Sequence, residues 1–225
     1  MAEQGDLSYT EFLQRCFSME FNTRTERRLQ RTMKSARLGV IEGLEGYNFS
    51  WRPQLDGRRV KELLNCRFIE ERRNILCIGK AGMGKTRVAK AIAQAACRAG
   101  HSTLFVVTAE MLEDLHSAQA DGTIQRAMRR YTKPALLVCD EFGHDTFDAE
   151  ATKYLFRLVS ARYGQGSICL TSNCGFTRWK ELFPSLPSAV STVERLIDRA
   201  TILRFTGKPV RCPQEIIGAA LEDDQ

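Results

Sequence analysis

The sequence lacks several features that would have pointed to a membrane protein or a zinc protein. No apolar run approaches membrane-spanning length, and no two of its eight cysteines have the Cys-x-x-Cys spacing. A membrane-spanning helix needs about 20 consecutive apolar residues, so we expect no membrane partner. Paired cysteines are typical of structural zinc sites, and their absence argues against one. The first residues have no signal-peptide pattern, and we therefore expect a cytoplasmic protein with reduced cysteines.

The composition is that of an ordinary soluble protein with a basic excess. Of the 225 residues, 43% are hydrophobic and 27% are charged, without internal repeats or low-complexity segments. This length suits one main domain and a smaller appendage. The formal net charge is +6, which favours a polyanionic partner such as nucleic acid.

The most informative segment is residues 74–86, with the sequence NILCIGKAGMGKT. Four apolar residues (75–78) lead into Gly79, and Gly84, Lys85 and Thr86 complete the spacing GxxxxGK[ST]. This order predicts a strand, a glycine-rich turn and the start of a helix, which together form a phosphate-binding loop. We expect the glycines at 79, 82 and 84 to adopt conformations closed to other residues, so that backbone N–H groups surround a polyphosphate.

The loop predicts specific contacts with a nucleoside triphosphate. Lys85 would reach the β- and γ-phosphates, Thr86 would bind Mg²⁺, and the N-terminus of the following helix would favour the negative charge. The predicted nucleotide-binding residues are Gly79, Lys80, Ala81, Gly82, Met83, Gly84, Lys85, Thr86 and Arg87.

Strands and helices alternate along the rest of the chain. Apolar runs predict strands at 75–78, 103–107, 135–139, 167–170 and 201–206, separated by helices at 85–99, 110–115, 123–131, 148–163 and 189–199. Strands that are apolar throughout are typical of a parallel sheet covered on both faces, and we therefore predict an α/β fold.

The region before the loop is predicted to contain one or two helices (7–37), a glycine-punctuated connector (39–57) and a short helix (58–70). Apolar residues at 9, 12, 13, 16 and 17 give the first helix an amphipathic stripe. In the connector, Tyr47, Phe49 and Trp51 alternate. These rings either pack in the core or contribute one wall of an adenine pocket.

Basic residues recur at helical spacing in the second part of the first helix: Arg24, Arg27, Arg28, Arg31 and Lys34. They form either a solvated helix face or a surface that contacts phosphates of DNA.

Polar side chains follow two of the predicted strands. Asp140 and Glu141 end the strand at 135–139, and Asn173 follows the strand at 167–170. The carboxyl ends of parallel strands are where ligands of open α/β sheets bind. We expect Asp140 to hold Mg²⁺, Glu141 to activate the attacking water and Asn173 to position it.

A pair of arginines closes the predicted nucleotide domain. Arg195 and Arg199 have the i, i+4 spacing that would place them on one helix face. Either they reach the γ-phosphate bound to a neighbouring subunit, or they form ion pairs with Glu194 and Asp198 along their own helix.

The order of these motifs resembles that of AAA+ ATPases of the IstB/DnaC group, and more closely that of IstB-like transposition helper ATPases. The resemblance runs from about Leu7 to Arg211 and includes Phe68-Ile69-Glu70, Arg162-Tyr163 and Thr171-Ser172-Asn173. It implies a P-loop NTPase fold (AAA+, ASCE class) with a small N-terminal helical domain at 1–45, an ATP-binding domain at 46–211 and a tail at 212–225. It also implies ATP and Mg²⁺ as cofactors, self-assembly on duplex DNA and a transposase as client.

The sequence departs from the family in places. Arg87 stands where a histidine is common, and Asp140-Glu141 stands where two aspartates are usual. Neither an acidic triad for DNA cutting nor a helix-turn-helix is evident, so we predict neither cutting nor sequence-specific reading. The assignment of the trans-acting arginine stays open between Arg195 and Arg199. Two other functions stay open as well: a DnaC-like loader of a replicative helicase, and a small P-loop kinase.

Overall fold

The structure is a computed structural model that describes residues 8–207, except for the side chains of Leu186 and Ser188. Its centre is a five-stranded sheet, and every pair of adjacent strands is parallel. The strands are β1 (Ile75–Gly79), β2 (Thr103–Val107), β3 (Leu136–Asp140), β4 (Ser167–Ser172) and β5 (Thr201–Phe205), in the spatial order β2-β3-β4-β1-β5. The predicted parallel α/β sheet is confirmed.

Helices cover both faces of this sheet. They are α1 (Tyr9–Ser35), α2 (Gly57–Leu63), α3 (Arg67–Glu70), α4 (Lys85–Arg98), α5 (Thr108–Ala120), α6 (Ile124–Thr132), α7 (Ala149–Arg162), α8 (Phe176–Trp179) and α9 (Leu186–Ile197), with 3-10 turns at Phe49–Trp51 and Lys180–Leu182. Successive residues of β1 point to opposite faces: Leu76 and Ile78 pack under α5 to α9, whereas Ile75 and Cys77 pack under α2 to α4. Strands β1 and β3 are almost wholly apolar because both of their faces are buried, whereas the edge strand β5 carries the exposed Arg204.

The N-terminal region is one continuous helix. Ser8 and Glu11 form a capping box at the start of α1, in which the Glu11 N–H donates to Ser8 Oγ at 3.3 Å and the Ser8 N–H to Glu11 Oε2 at 2.9 Å. No residue of α1 is fully buried, and only Leu29 and Met33 pack partly against the core. None of the helices within residues 8–207 combines the length and the apolar character needed to cross a membrane.

Three boundaries differ from the sequence predictions. The helix predicted at 58–70 is broken into α2 and α3 because Cys66 adopts a φ of 60°. The connector predicted at 39–57 contains a 3-10 turn (Phe49–Trp51) that the sequence did not indicate. Helix α9 begins at Leu186, with a proline in its first turn, and ends at Ile197. The first residues of the predicted N-terminal domain, the end of the predicted ATP-binding domain and the tail at 212–225 lie outside the described residues.

A buried arginine joins the far end of the sheet to its neighbouring loops. Arg162 is 1% exposed, and its guanidinium donates at 2.7–3.3 Å to the backbone oxygens of Tyr131, Thr132, Pro134, Ala135 and Ser167. Burial lowers its pKa to about 10. Five carbonyl dipoles here take the place of a carboxylate partner. Arg162 therefore fixes the loop between α6 and β3 against the start of β4.

Candidate functional site

The segment after β1 has the conformation of a phosphate-binding loop. Gly82 and Gly84 have φ values of 72° and 85°, in the left-handed region that favours glycine. Gly79 does not share this region, so its predicted conformational reason is wrong. A Cβ at Gly79 would lie 2.1 Å from the carbonyl oxygen of Phe205, so glycine is needed there for the close approach of β5.

Lys85 joins the loop to the end of β4. Its Nζ donates to the Lys80 carbonyl oxygen at 2.7 Å and to Asn173 Oδ1 at 2.7 Å. The residue is only 6% exposed, and this burial lowers the pKa of Lys85, while the nearby Asp140 carboxylate opposes the shift. The structure thus brings Lys85 and Asn173 together at the carboxyl end of the sheet.

Thr86 and Asp140 meet at the start of α4. Thr86 Oγ1 donates to Asp140 Oδ1 at 3.0 Å, and Asp140 is 5% exposed at the end of β3. A hydroxyl and a carboxylate are hard oxygen ligands of the kind that bind Mg²⁺. Among residues 8–207, no group of three or more His, Cys, Asp and Glu side chains could hold a metal alone. A cation at this pair would therefore need oxygens from a ligand or from water, and the residues fit such a role.

Thr171 is a site residue that the sequence analysis did not single out. Its hydroxyl donates to Asp140 Oδ1 and accepts a hydrogen bond from the Glu141 N–H at 3.1 Å. It thereby fixes both the carboxylate of Asp140 and the backbone of Glu141. The available signal was a hydroxyl residue directly after the apolar residues 168–170 and before Ser172 and Asn173.

Glu141 holds an unusual backbone conformation. Its φ is 58°, in the left-handed region, and the Phe142 N–H that follows donates to the Thr171 carbonyl oxygen at 2.8 Å. A non-glycine residue there costs about 1–3 kcal/mol and persists only where its surroundings impose it. The exposed side chain lies at the wall of the cavity that Lys85 and Asp140 also line.

These residues surround one cavity of about 610 Å³, which the aromatic connector closes on the other side. Tyr47 and Trp51 line the cavity, whereas Phe49 packs against the Tyr47 ring at 4.8 Å between centroids. Tyr47 and Phe49 both pack partly against the core, and Tyr47 and Trp51 stay candidates for a wall of the adenine pocket. Burial raises the pKa of the Tyr47 hydroxyl above its ordinary value.

Two side chains fasten the connector to the loop. Tyr47 Oη donates to the Met83 carbonyl oxygen at 3.3 Å, and the buried Arg52 donates to the same oxygen through Nε at 3.1 Å. Sequence spacing gave no signal for Arg52. Arg87, which was predicted to contact nucleotide, lines the cavity but also donates to the backbone oxygens of Gly43 (2.9 Å) and Glu45 (2.8 Å).

The two candidate arginines lie at the opposite edge of the sheet from the phosphate-binding loop. Asn74 immediately precedes β1, and its Nδ2 donates to the carbonyl oxygen of Leu196 at 3.1 Å. The five residues of β1 span roughly 15 Å between this edge and the loop. Arg195 and Arg199 are therefore not brought together with Lys85 and Asp140 of the same chain.

The two arginines differ in their surroundings, and their predicted placement on one helix face is wrong. Helix α9 ends at Ile197, so Arg199 follows it as an exposed residue with a φ of 56°. The Arg195 guanidinium lies 4.9 Å from the centroid of the Phe156 ring and donates to the Ser191 carbonyl oxygen at 3.2 Å. Within residues 8–207 neither arginine forms an ion pair; Asp198 instead accepts a hydrogen bond from Tyr163 Oη.

The basic residues of α1 face away from the domain. The helical period places Arg24, Arg27, Arg28, Arg31 and Lys34 on the side opposite Leu29 and Met33, which pack on the core. All five are exposed, and Arg24 Nε pairs with Glu20 at 2.6 Å.

Solved structures with a similar fold include replication proteins. The DnaI structure has a TM-score of 0.57 and 21% identity and covers 67% of this chain and 86% of its own. The DnaC helicase loader gives 0.54 and 17%, over 66% of this chain and 86% of its own. AMPPCP-bound DnaA from Aquifex aeolicus gives 0.55 and 17%, over 75% of this chain and 55% of its own. At these identities the likeness shows the fold alone, and it agrees with the predicted P-loop NTPase fold.

Sequence relatives are more specific. A protein of insertion sequence IS5376 from Geobacillus stearothermophilus is 30% identical over 100% of this chain and 89% of its own length. A protein of insertion sequence IS21 from Pseudomonas aeruginosa is 32% identical over 95% of this chain and 81% of its own length. The names of both assign ATP binding provisionally. Residues 1–216 match the family described as IstB-like ATP binding protein. The chain therefore belongs to the IstB-like family of insertion-sequence ATP-binding proteins.

Proposed function

We propose that this protein binds and hydrolyses ATP with Mg²⁺, assembles on DNA through that cycle and helps a transposase in the cytoplasm. One observation carries the proposal: the hydrogen-bonded pairs Lys85–Asn173 and Thr86–Asp140 line one cavity, while the candidate arginines lie at the other edge of the sheet. Each chain would thus supply the nucleotide-binding cavity of one hydrolytic site and, at the other edge of the sheet, the arginine of a neighbour's site.

The cavity residues have distinct roles in this proposal. Gly82 to Thr86 hold the phosphates through backbone N–H groups and the Lys85 ammonium, and Thr86 with Asp140 would hold Mg²⁺. Bound Mg²⁺ would supply neutralisation of the phosphate charge. Glu141 accepts the proton of the attacking water, and Asn173, which already contacts Lys85, orients that water. Thr171 positions Asp140 and Glu141.

The connector is proposed to bind the base. Tyr47 and Trp51 line the cavity beside the loop, and Trp51 is 55% exposed although it is a large apolar ring. Stacking of a purine on such a ring would cover it. The hydrogen bonds of Tyr47 and Arg52 to Met83 then hold the base-binding wall in register with the phosphates.

Arg199 is the better candidate for action in trans. The Arg195 guanidinium is held over the Phe156 ring and by Ser191, whereas Arg199 is exposed beyond the end of α9. The Tyr163 hydroxyl holds the neighbouring Asp198, which fixes the turn that presents Arg199. An arginine that stabilises the γ-phosphate of a neighbour acts only in a homo-oligomer, so hydrolysis depends on assembly.

Replacement of Arg199 tests this assignment. Arg199→Ala should lower the steady-state ATPase rate by about 10³-fold or more, since arginines of this kind contribute that much, with ATP affinity unchanged. Arg195→Ala should lower the ATPase rate less, because Arg195 would affect hydrolysis only by holding α9, and with it Arg199, in place. Arg157→Ala, which removes an exposed arginine from α7, is the matched control. A full rate in Arg199→Ala would contradict the assignment.

DNA binding is proposed for the outward face of α1. Its five basic residues are solvent-exposed on one side of a helix, which suits contacts with DNA phosphates. The transposase is proposed because the relatives belong to insertion sequences.

Charge reversal of Arg27, Arg28 and Arg31 to glutamate should weaken duplex binding at least tenfold and reduce the slope of log affinity against log salt by about 3. Fluorescence anisotropy over a salt series measures both. The control reverses three exposed charges on α2 (Arg58, Arg59 and Lys61). Equal losses in the two triple variants would show a general charge effect and contradict a DNA-binding role of α1.

A loader of a replicative helicase is the second candidate, since the DnaC helicase loader and DnaI share the fold. Preference for single-stranded DNA, together with capture of a replicative helicase rather than a transposase, would favour it. A small P-loop kinase would work as a monomer. An ATPase rate that rises more steeply than protein concentration would exclude that function.

A further inference from the structure

A second cavity lies at the edge of the sheet opposite the phosphate-binding loop. It has a volume of about 330 Å³ and is formed by the segment before β1, the segment between α7 and β4, and the end of α9. Asn74 joins these walls: its Oδ1 accepts a hydrogen bond from the Ile168 N–H at 2.9 Å, and its Nδ2 donates to the Leu196 carbonyl oxygen at 3.1 Å. The cavity is therefore built into the base of the sheet.

The charge that lines the second cavity is mainly positive. Four guanidinium groups line it: Arg72, Arg162, Arg195 and Arg199. Of the two lining carboxylates, Glu71 pairs with Arg73 Nε at 2.7 Å. The other, Asp198, accepts a hydrogen bond from Tyr163 Oη. The buried Arg162 has no hydrogen-bond partner for its Nε within residues 8–207. Positive charge that is only partly compensated favours an anionic ligand.

Arg72 occupies a backbone position that usually belongs to glycine. Helix α3 ends with two hydrogen bonds, from the Arg73 N–H to the Phe68 carbonyl oxygen at 2.8 Å and from the Arg72 N–H to the Ile69 carbonyl oxygen at 3.1 Å. This is the Schellman pattern, and its left-handed residue is commonly glycine. Arg72 has a φ of 53° there. Backbone strain of this kind is concentrated at functional sites.

Arg199 occupies a comparable position in the next segment. Asp198 has φ and ψ values of −56° and 123°, Arg199 has a φ of 56°, and the Ala200 N–H donates to the Ile197 carbonyl oxygen at 2.9 Å. These values describe a type II turn, whose third residue is normally glycine or asparagine. Two arginines therefore replace the favoured glycine in two turns that line one cavity.

The segments that carry Arg72 and Arg199 enter the sheet side by side. The parallel ladder pairs Ile75 of β1 with Thr201 of β5, and adjacent strands lie about 5 Å apart. The exposed Arg72 guanidinium donates from Nη1 to the Gly164 carbonyl oxygen, which is its only hydrogen-bond partner within residues 8–207. A guanidinium has five N–H donors, so most of those of Arg72 are available to a ligand.

We propose that Arg72 is a second arginine that acts in trans: with Arg199, it contacts the triphosphate of ATP bound in the phosphate-binding loop of a neighbouring chain. This inference rests on the proposed function and adds to it a residue from a different turn. A triphosphate suits the cavity because a planar guanidinium binds phosphate oxygens through two parallel hydrogen bonds. During hydrolysis negative charge is spread over the γ-phosphoryl oxygens, and the second guanidinium stabilises that charge.

Arg72→Gly tests the proposal with little risk to the fold. Glycine is the residue that the turn favours, so the variant should unfold at about the wild-type temperature. At saturating duplex DNA its steady-state ATPase rate should fall about 10- to 100-fold with unchanged affinity for a non-hydrolysable ATP analogue, since charged hydrogen bonds to phosphate are strong. Arg72→Lys keeps the charge but lacks the bidentate geometry, and it should recover part of the rate.

Arg37→Gly is the matched control. It removes another exposed arginine with a positive φ, 56°, from the segment after α1, and it should keep the wild-type rate. An equal loss in Arg37→Gly would show a general effect of such replacements and contradict the role of Arg72. A full rate in Arg72→Gly beside a reduced rate in Arg199→Ala would overturn this inference alone. Full rates in both would overturn the proposed trans site as a whole.

Mixed chains separate action in trans from a structural role within one chain. Lys85→Ala chains keep Arg72 but lack bound ATP, whereas Arg72→Gly chains keep the phosphate-binding loop. An equal mixture should recover about a quarter of the wild-type rate, since random neighbours rebuild that share of complete sites. No recovery would assign Arg72 to its own chain and overturn the proposal.

Calorimetry with the ATP analogue distinguishes a neighbour's nucleotide from a free one. Lys85→Ala alone should show no binding, because the second cavity receives only a triphosphate that another chain holds. Residual binding to Lys85→Ala that disappears in Lys85→Ala/Arg72→Gly would place a free nucleotide in the second cavity. That result would overturn the action of Arg72 in trans.

Discussion

Lys85→Ala is expected to abolish ATP binding, with a dissociation constant raised about 100-fold or more. The buried ammonium is held between the Lys80 carbonyl oxygen and Asn173, at the point where the loop turns into α4. Hydrogen bonds between a charged donor and phosphate oxygens are among the strong ones, and alanine supplies none. The loop itself should persist because its shape depends on Gly82, Gly84 and the contacts of Met83 with Tyr47 and Arg52.

Isothermal titration calorimetry with a non-hydrolysable ATP analogue measures this effect directly. Lys153→Ala removes an exposed lysine from α7 and is the matched control. Thermal unfolding of both variants separates lost binding from lost folding. Equal nucleotide affinity in Lys85→Ala and the wild type would contradict the assignment of the cavity.

Glu141→Gln is expected to keep ATP bound while the rate of hydrolysis falls by about 10²–10⁴-fold, the usual contribution of a general base. Glutamine is nearly isosteric with glutamate but cannot accept the proton of the attacking water. Three hydrogen bonds fix this position: the Glu141 N–H donates to Thr171 Oγ1, and the hydroxyls of Thr171 and Thr86 donate to Asp140 Oδ1. None of them involves the carboxylate of Glu141. ATP-dependent complexes on DNA should therefore accumulate rather than disappear.

Single-turnover hydrolysis and electron microscopy of ATP complexes on duplex DNA check both parts. Glu113→Gln, on the exposed side of α5, controls for the loss of one carboxylate. A wild-type rate in Glu141→Gln would remove this residue from the mechanism. A loss of ATP affinity would instead assign it to nucleotide binding.

The sheet and the core of the site were predictable because they depend on local sequence. Short apolar runs before Gly79, Asp140 and Thr171, each separated by a helical pattern, favour buried parallel strands, and parallel strands bring their carboxyl ends to one edge. Lys85, Asp140 and Asn173 therefore converge in the structure as their positions in the sequence indicated.

The parts that were missed depend on contacts between distant segments or on the end of a helix. Arg52 reaches Met83 only because the connector folds back over the loop, and nothing in the spacing encodes that path. Gly79 is glycine because β5 passes close by, not because of its own φ. Arg199 has helical spacing from Arg195, yet α9 ends between them, and the positive φ of Arg199 has no clear sequence signal.

The central claim is that each hydrolytic site combines the loop of one chain with Arg199 of another, and complementation tests it most directly. Lys85→Ala and Arg199→Ala chains should each be inactive alone, the first for lack of bound ATP and the second for lack of the trans arginine. Mixed in equal amounts with duplex DNA, they should recover about a quarter of the wild-type ATPase rate, since random head-to-tail neighbours rebuild that share of complete sites. A mixture no more active than its two components would contradict the claim.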